Sequence, residues 1–209
     1  MLEFPRTTEF GRKVPKQKFY DNADIPAPIR RLFVEEIEGI LWRNKFSSST
    51  LNVEQGVNVT EIELLQLTLR QKSISKPVLE TIANAIPYHL IFLLEYMEKY
   101  QLSVAYSRPN GKPVWYSTQW QPYDALLLQV QGLNLDNIYE NFVRQIAGEN
   151  LVAGESLQAD VERESARNAL QKRIFALSRK LRAEKQFNRQ VAINRELRAV
   201  KAELAELEY

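Results

Sequence analysis

His89-Leu-Ile-Phe-Leu-Leu-Glu-Tyr96 is a nearly continuous apolar run, entered just after Pro87. A strand with one wet face alternates apolar and polar residues. A run that is apolar at almost every position is buried on both faces and belongs inside a sheet. Alternation of side chains along a strand then places Leu90, Phe92 and Leu94 against one layer, and Ile91 and Leu93 against the other. This segment sets the class: a sheet covered on both sides.

Working outward, the turn at Glu98-Lys99 leads into Leu102–Ser107, and the pair reads as a hairpin. Asn110-Gly111 is a type I′ turn signal, followed by a strand over Val114–Trp120 and another over Leu126–Val130. Leu135–Ala147 has helical spacing, with Ile138, Phe142, Val143 and Ile146 on one face. Upstream, Ile62–Leu69 reads as a strand with Glu61 and Glu63 at its start. Ser75 caps a helix running to about Ala85. Before these, the Pro26-Ala-Pro28 punctuation opens a helix. Its apolar face is Ile29, Leu32, Phe33, Ile37, Ile40 and Leu41, and it ends at Trp42-Arg-Asn-Lys45. Glu35, Glu36 and Glu38 fall off that face and are expected in solvent. Ser47–Thr50 opens a polar loop. Residues 1–25 read as an irregular arm, broken by Pro5, Gly11 and Pro15.

The C-terminal segment 155–209 contains no glycine or proline. Leu170, Ile174, Leu177 and Leu181 recur at coiled-coil spacing, as do Ile193, Leu197, Val200, Leu204 and Leu207. One continuous helix of that length would reach roughly 75 Å, so it requires a partner or a fold-back. The two seams are out of phase, because heptad steps from Leu181 reach Asn188 and Arg195. A break, fold-back or seam rotation is expected between about Glu184 and Ala192. The expected organisation is an arm (1–25), an α/β (α+β) domain (26–150) with a small mixed, largely antiparallel sheet and flanking helices, and a long coiled-coil-like extension (155–209).

The chain has 209 residues, 44% of them hydrophobic, and a formal charge of +2. There is no cysteine, which excludes disulfides and thiolate metal sites. No run is apolar over the roughly 18 residues a membrane span needs, and the N-terminus lacks a signal core. The reading is a cytoplasmic protein with no membrane partner. The near balance of charge conceals a basic block: Arg167 to Lys201 holds eleven Lys or Arg against two acids, Glu184 and Glu196. Two readings stay open for it, a solvated helix face or a surface for phosphates or an acidic partner. Its nucleic-acid candidates are Arg173, Lys180, Arg182, Lys185 and Arg189. In the arm, Lys13, Lys16 and Lys18 alternate with aromatics. They could contact nucleic acid, or stay wet while Phe19 and Tyr20 pack on the body.

Catalytic parts are few. The single histidine, His89, rules out a multi-histidine metal site, and its position at a strand start favours packing. No Gly-rich phosphate loop or nucleophile elbow occurs. What remains is carboxylate chemistry with a divalent metal, using Glu61, Glu63 or Glu95 with Lys99 nearby. The spacing does not form a nuclease signature, and no cofactor or dedicated metal site is expected.

Seven phrases occur together in order: Lys16-Gln-Lys-Phe-Tyr20, Trp42-Arg-Asn-Lys45, Val59-Thr-Glu-Ile62, Ile86-Pro-Tyr-His89, Gly132-Leu-Asn-Leu-Asp136, Tyr139-Glu-Asn-Phe142 and Glu184-Lys-Gln-Phe-Asn188. The set resembles a bacterial and archaeal family known as domain of unknown function 4391, over almost the whole chain. The resemblance implies a setting beside helicases and DNA methyltransferases, as in restriction or antiphage defence, and transfers no catalytic residue. The leading expectation is an accessory subunit of a DNA-processing system. It would assemble through Leu170, Ile174, Leu177, Leu181, Leu197, Val200, Leu204 and Leu207, on a helicase, a methyltransferase or a second copy. A metal-dependent nuclease-like enzyme and a nucleic-acid-binding module are the alternatives.

Overall fold

The computed structural model describes residues 2–22, 25–108, 111–151, 154 and 156–207. The chain divides into two units, a body ending at Gly148 and a C-terminal unit beginning at Glu149. Glu155, where the extension was expected to start, and Asn110 of the expected turn lie outside the described residues, as do the final two residues.

The body is built on a six-stranded sheet in sequential order, β1 (Glu9–Lys13), β2 (Ile37–Ser47), β3 (Glu61–Leu69), β4 (His89–Tyr96), β5 (Lys99–Tyr106) and β6 (Val114–Ser117). All neighbours are antiparallel except β3 and β4, which run parallel. Parallel neighbours need a crossover, and α4 (Lys76–Ala85) supplies it. The described helices of the body are completed by α1 (Gln17–Asn22), α2 (Ala27–Glu36), α3 (Ser48–Leu51) and α5 (Leu135–Ala147).

β4 lies inside the sheet as expected. Leu90, Phe92 and Leu94 pack with Leu65, Leu67 and Leu69 of β3 beneath Phe33 of α2 and Val78, Leu79 and Ile82 of α4. On the opposite face, Phe46 of β2 meets Phe142 of α5, with ring centroids 5.3 Å apart. The two-residue β4–β5 turn has Met97 at φ 45° and Glu98 at φ 56°. Two successive positive φ values give the twist that a tight hairpin requires.

Several local expectations are corrected. The helix beginning near Pro28 ends at Glu36, and Ile37, Ile40, Leu41 and Trp42-Arg-Asn-Lys45 belong to β2. Pairing along β3 overrides the helical spacing. Glu36 is buried rather than solvated: its carboxyl accepts from Ser75 N (2.7 Å) and Ser75 Oγ, joining the end of α2 to the start of α4. Ser75 holds the cap position of α4, but its side chain is turned to Glu36. Ser47–Thr50 forms a capping box for α3 instead of an open loop. Among the described residues of the arm, β1 pairs with β2 and α1 buries Phe19. Leu126–Val130 forms no strand; Leu126 and Leu128 are buried within an unpaired segment.

Asp136, in the first turn of α5, anchors the segment that leads into β3. It accepts from the backbone N–H groups of Val57 (2.7 Å), Asn58 (3.1 Å) and Val59 (2.7 Å). A side chain at Gly56 would place its Cβ 2.4 Å from the Asp136 carboxylate, so the approach demands glycine.

The C-terminal unit is a helical hairpin, α6 (Leu157–Ala183) and α7 (Phe187–Glu206). The expected break falls at Glu184–Gln186. Glu184 makes the turn: its carboxylate accepts from Lys185 N and Gln186 N, each at 2.9 Å, and its carbonyl accepts from Gln190 Nε2 at 2.7 Å. These backbone bonds, that of Gln186 foremost, hold the Glu184 carboxyl below the usual carboxylate range.

Candidate functional site

The strongest concentration of unusual chemistry lies where β2 and β3 run side by side. Strand alternation puts Glu61, Glu63 and Leu65 on one face of β3. The antiparallel register sets Lys45 opposite Glu63 and Ser47 opposite Glu61. Glu63 is 1% exposed, inside the sheet layer that also carries Leu90 and Phe92. The indole Nε1–H of Trp42 donates to Glu63 Oε2, and the Lys45 ammonium is paired with Glu61 Oε2.

Two oxygens remain. Glu61 Oε1 and Glu63 Oε1 are buried, and no N–H among the described residues reaches them. A proton held between the two carboxyls satisfies both. Burial, and then the hydrogen bond and charge of Glu61, push the Glu63 carboxyl up to about 9; the Trp42 N–H and Lys45 pull weakly the other way. For Glu61, burial acts upward, but the hydrogen bonds from Glu63 and Lys45 outweigh it and hold the group below its usual value. Lys45 rises in turn, chiefly through its bond to Glu61. The result at neutral pH is one neutral acid, one carboxylate and one ammonium in contact. Such a set can give or take a proton, or exchange the proton for a cation.

The three sequence-predicted carboxylates do not converge. In the parallel register Glu63 lies beside Leu90, whereas Glu95 lies beside Thr68, on the other face of the sheet. There Glu95 accepts from Gln66 Nε2 (2.7 Å), Thr68 Oγ1 (3.1 Å) and the Tyr100 hydroxyl (3.1 Å), a satisfied structural network. Lys99 begins β5 and is exposed. The lysine that joins the acids is Lys45, and it was missed together with Trp42. Both sit in the segment read as a helix end, so the cross-strand register that brings them to Glu63 was not visible. His89 packs its ring 4.3 Å from that of Tyr139, and burial holds its pKa below the usual histidine value against the pull of Asp136.

The seam residues of the C-terminal unit face each other within the chain. Leu170, Leu177, Ile193 and Val200 form the buried core of the hairpin, flanked by Ile174, Leu181, Leu197, Leu204 and Leu207. Arg173 is tied to Glu196 at 2.7 Å across the two helices. Lys180, Arg182, Lys185 and Arg189 are exposed. In the arm, Lys13 and Lys18 are exposed. Lys16 is partly buried, donates to the Ile37 carbonyl and has its pKa lowered, first by burial and then by Arg70. It is a structural tether and not a free phosphate contact. No helix among the described residues is long and apolar enough to cross a membrane.

No curated protein and no solved structure matches this chain. The family model described as "Domain of unknown function (DUF4391)" matches residues 2–204 of the 209, so the chain belongs to the DUF4391 family.

Proposed function

We propose that this chain is a non-enzymatic accessory subunit of a DNA-processing system, of the restriction or antiphage-defence kind, and that its helical hairpin is the working end. One observation carries this reading. The apolar seam is closed within the hairpin, so what α6 and α7 present outward is the basic block. The leucine seam is spent within one chain, and docking through the outer basic surface replaces seam-to-seam assembly. The partner would be an acidic face of a helicase or methyltransferase, or its nucleic acid. Charge reversal at Arg182, Lys185 and Arg189 is expected to abolish capture of that partner by tagged protein from the native host. Equal capture by wild type and the triple variant would sink the reading.

The contact between Glu61, Glu63 and Lys45 favours a second reading, a metal-dependent nuclease-like enzyme. Two acids beside a lysine can hold a metal ion and a water, the ion displacing the shared proton. Under this reading Mn²⁺ binds with release of a proton, and nicking of plasmid DNA is lost in Glu61→Gln. If titration calorimetry detects no Mn²⁺ binding and no cleavage occurs, this reading is discarded.

A further inference from the structure

We infer that one flank of the hairpin binds single-stranded nucleic acid, with Phe175 and Phe187 as stacking platforms. This rests on the proposal that the hairpin is the working end, and it names what the hairpin's own surface recognises.

The geometry follows from helical periodicity. Each residue advances about 100° around the axis. Measured from the seam of α6, Arg173 lies about 70° to one side, and Phe175 lies about 130° to the other. Measured from the seam of α7, Glu196 lies about 60° to one side, and Phe187 lies about 120° to the other. In an antiparallel pair, equal senses of rotation point to the same side of the hairpin. The Arg173–Glu196 ion pair confirms it, since the two residues bond across one flank. Phe175 and Phe187 therefore share the opposite flank. They are 73% and 75% exposed.

The same flank carries Arg182, Arg198 and Lys201, all exposed. From Arg167 to Lys201 the only acids are Glu184 and Glu196. Glu184 is engaged in the turn, and Glu196 is engaged on the far flank. The flank with the aromatics is thus positive along this stretch.

The arrangement of the rings selects the occupant. A partner helix needs a continuous apolar strip at i, i+3, i+4 and i+7. Here the two rings stand apart from each other; Val191, one turn after Phe187 and 52% exposed, adds to the Phe187 patch but does not join it to Phe175 in a strip. With Arg173 opposite Glu196, Phe187 lies level with about residue 182, so the rings are separated by roughly 10 Å along the axis as well as by the width of the pair. Two rings separated in a basic field match a strand that lays phosphates on arginine and lysine and stacks separate bases. Duplex DNA keeps its bases stacked inside and would use only the charges.

The test uses the full chain and a labelled 15-nucleotide oligo(dT), followed by fluorescence anisotropy at about 50 mM salt. Wild type is expected to bind it more tightly than a duplex of equal length. Three phosphate contacts predict a slope of log affinity against log salt near −2. The double variant Phe175→Ala/Phe187→Ala is expected to weaken binding by at least about 30-fold with the salt slope kept. Arg182→Glu/Arg198→Glu is expected to flatten the slope. Both rings are exposed, so the variants should retain the wild-type circular dichroism melt, which is measured alongside. The inference is overturned if wild type does not bind oligo(dT), if the double Phe variant binds equally well, or if duplex binds at least as tightly. Loss of host-partner capture in the Arg182, Lys185 and Arg189 variant, with no oligonucleotide binding by wild type, would keep the hairpin as working end and overturn the single-strand assignment of this flank.

Discussion

Phe92→Ala is expected to lower the stability of the body by about 3–5 kcal/mol. Phe92 is fully buried near the middle of β4, between β3 and β5, and beneath α2 and α4. Its ring stacks on that of Trp115, with centroids 6.0 Å apart and planes 26° apart. Truncation removes the transfer energy of the ring and leaves a cavity. Paired strands on both sides cannot shift to fill it without disturbing their hydrogen bonds. A urea melt measures the loss directly. A loss below about 1 kcal/mol, far short of the range for a buried phenylalanine, would mean that the layer above β4 closes over the gap.

Glu63→Gln is expected to raise stability at pH 8 by up to about 5 kcal/mol and to leave it nearly unchanged near pH 4.5. The sign follows from proton uptake. The folded Glu63 carboxyl titrates at about 9, whereas in the unfolded chain it titrates near its ordinary 4.5. Between those values the folded state holds a proton that the unfolded state has released. The contribution of Glu63 is therefore intact below about pH 4.5, and it declines by about 1.4 kcal/mol per pH unit until the folded group ionises. Glutamine reproduces the neutral acid: its carbonyl accepts from Trp42 and its amide donates to Glu61, without a proton to lose. The check is a pair of urea midpoints at pH 5 and pH 8. Wild type should weaken between them and the variant should not. Equal slopes would show that the carboxyls share no proton.

The residues that made β4 legible also explain why β2 was not. His89–Tyr96 is apolar through nearly its whole length, a pattern that only an interior strand or a buried helix satisfies, and Pro87 with the Glu98 turn made it too short for a helix. Ile37, Ile40 and Leu41 continue the helical spacing set by Ile29, Leu32 and Phe33. Nothing local marks Glu36 as the point of change. What ends α2 is the ladder between β2 and β3, residues that meet across the α3 segment. That one boundary hid the site as well, since Lys45 and Trp42 reach Glu63 only across paired strands. Glu95 was misplaced for a simpler reason: the register that assigns it to the other face is a relation between β3 and β4. In the C-terminal unit the phase slip between Leu181 and Leu197 was readable because helical phase is local.

The division into body and hairpin also governs what a spectroscopist would see. The body pairs consecutive strands, but some of them meet only across long connections such as the α4 crossover between β3 and β4, and such pairing forms more slowly than a local turn, whereas the hairpin closes across a three-residue turn and should form early after that turn is complete. Trp42, Trp115 and Trp120 all belong to the body. Indole fluorescence is therefore blind to the hairpin, while α6 and α7 contribute much of the helical signal in the far ultraviolet. Two optical probes on one sample would follow the two units separately, and curves that fail to superimpose would show that they melt as independent bodies.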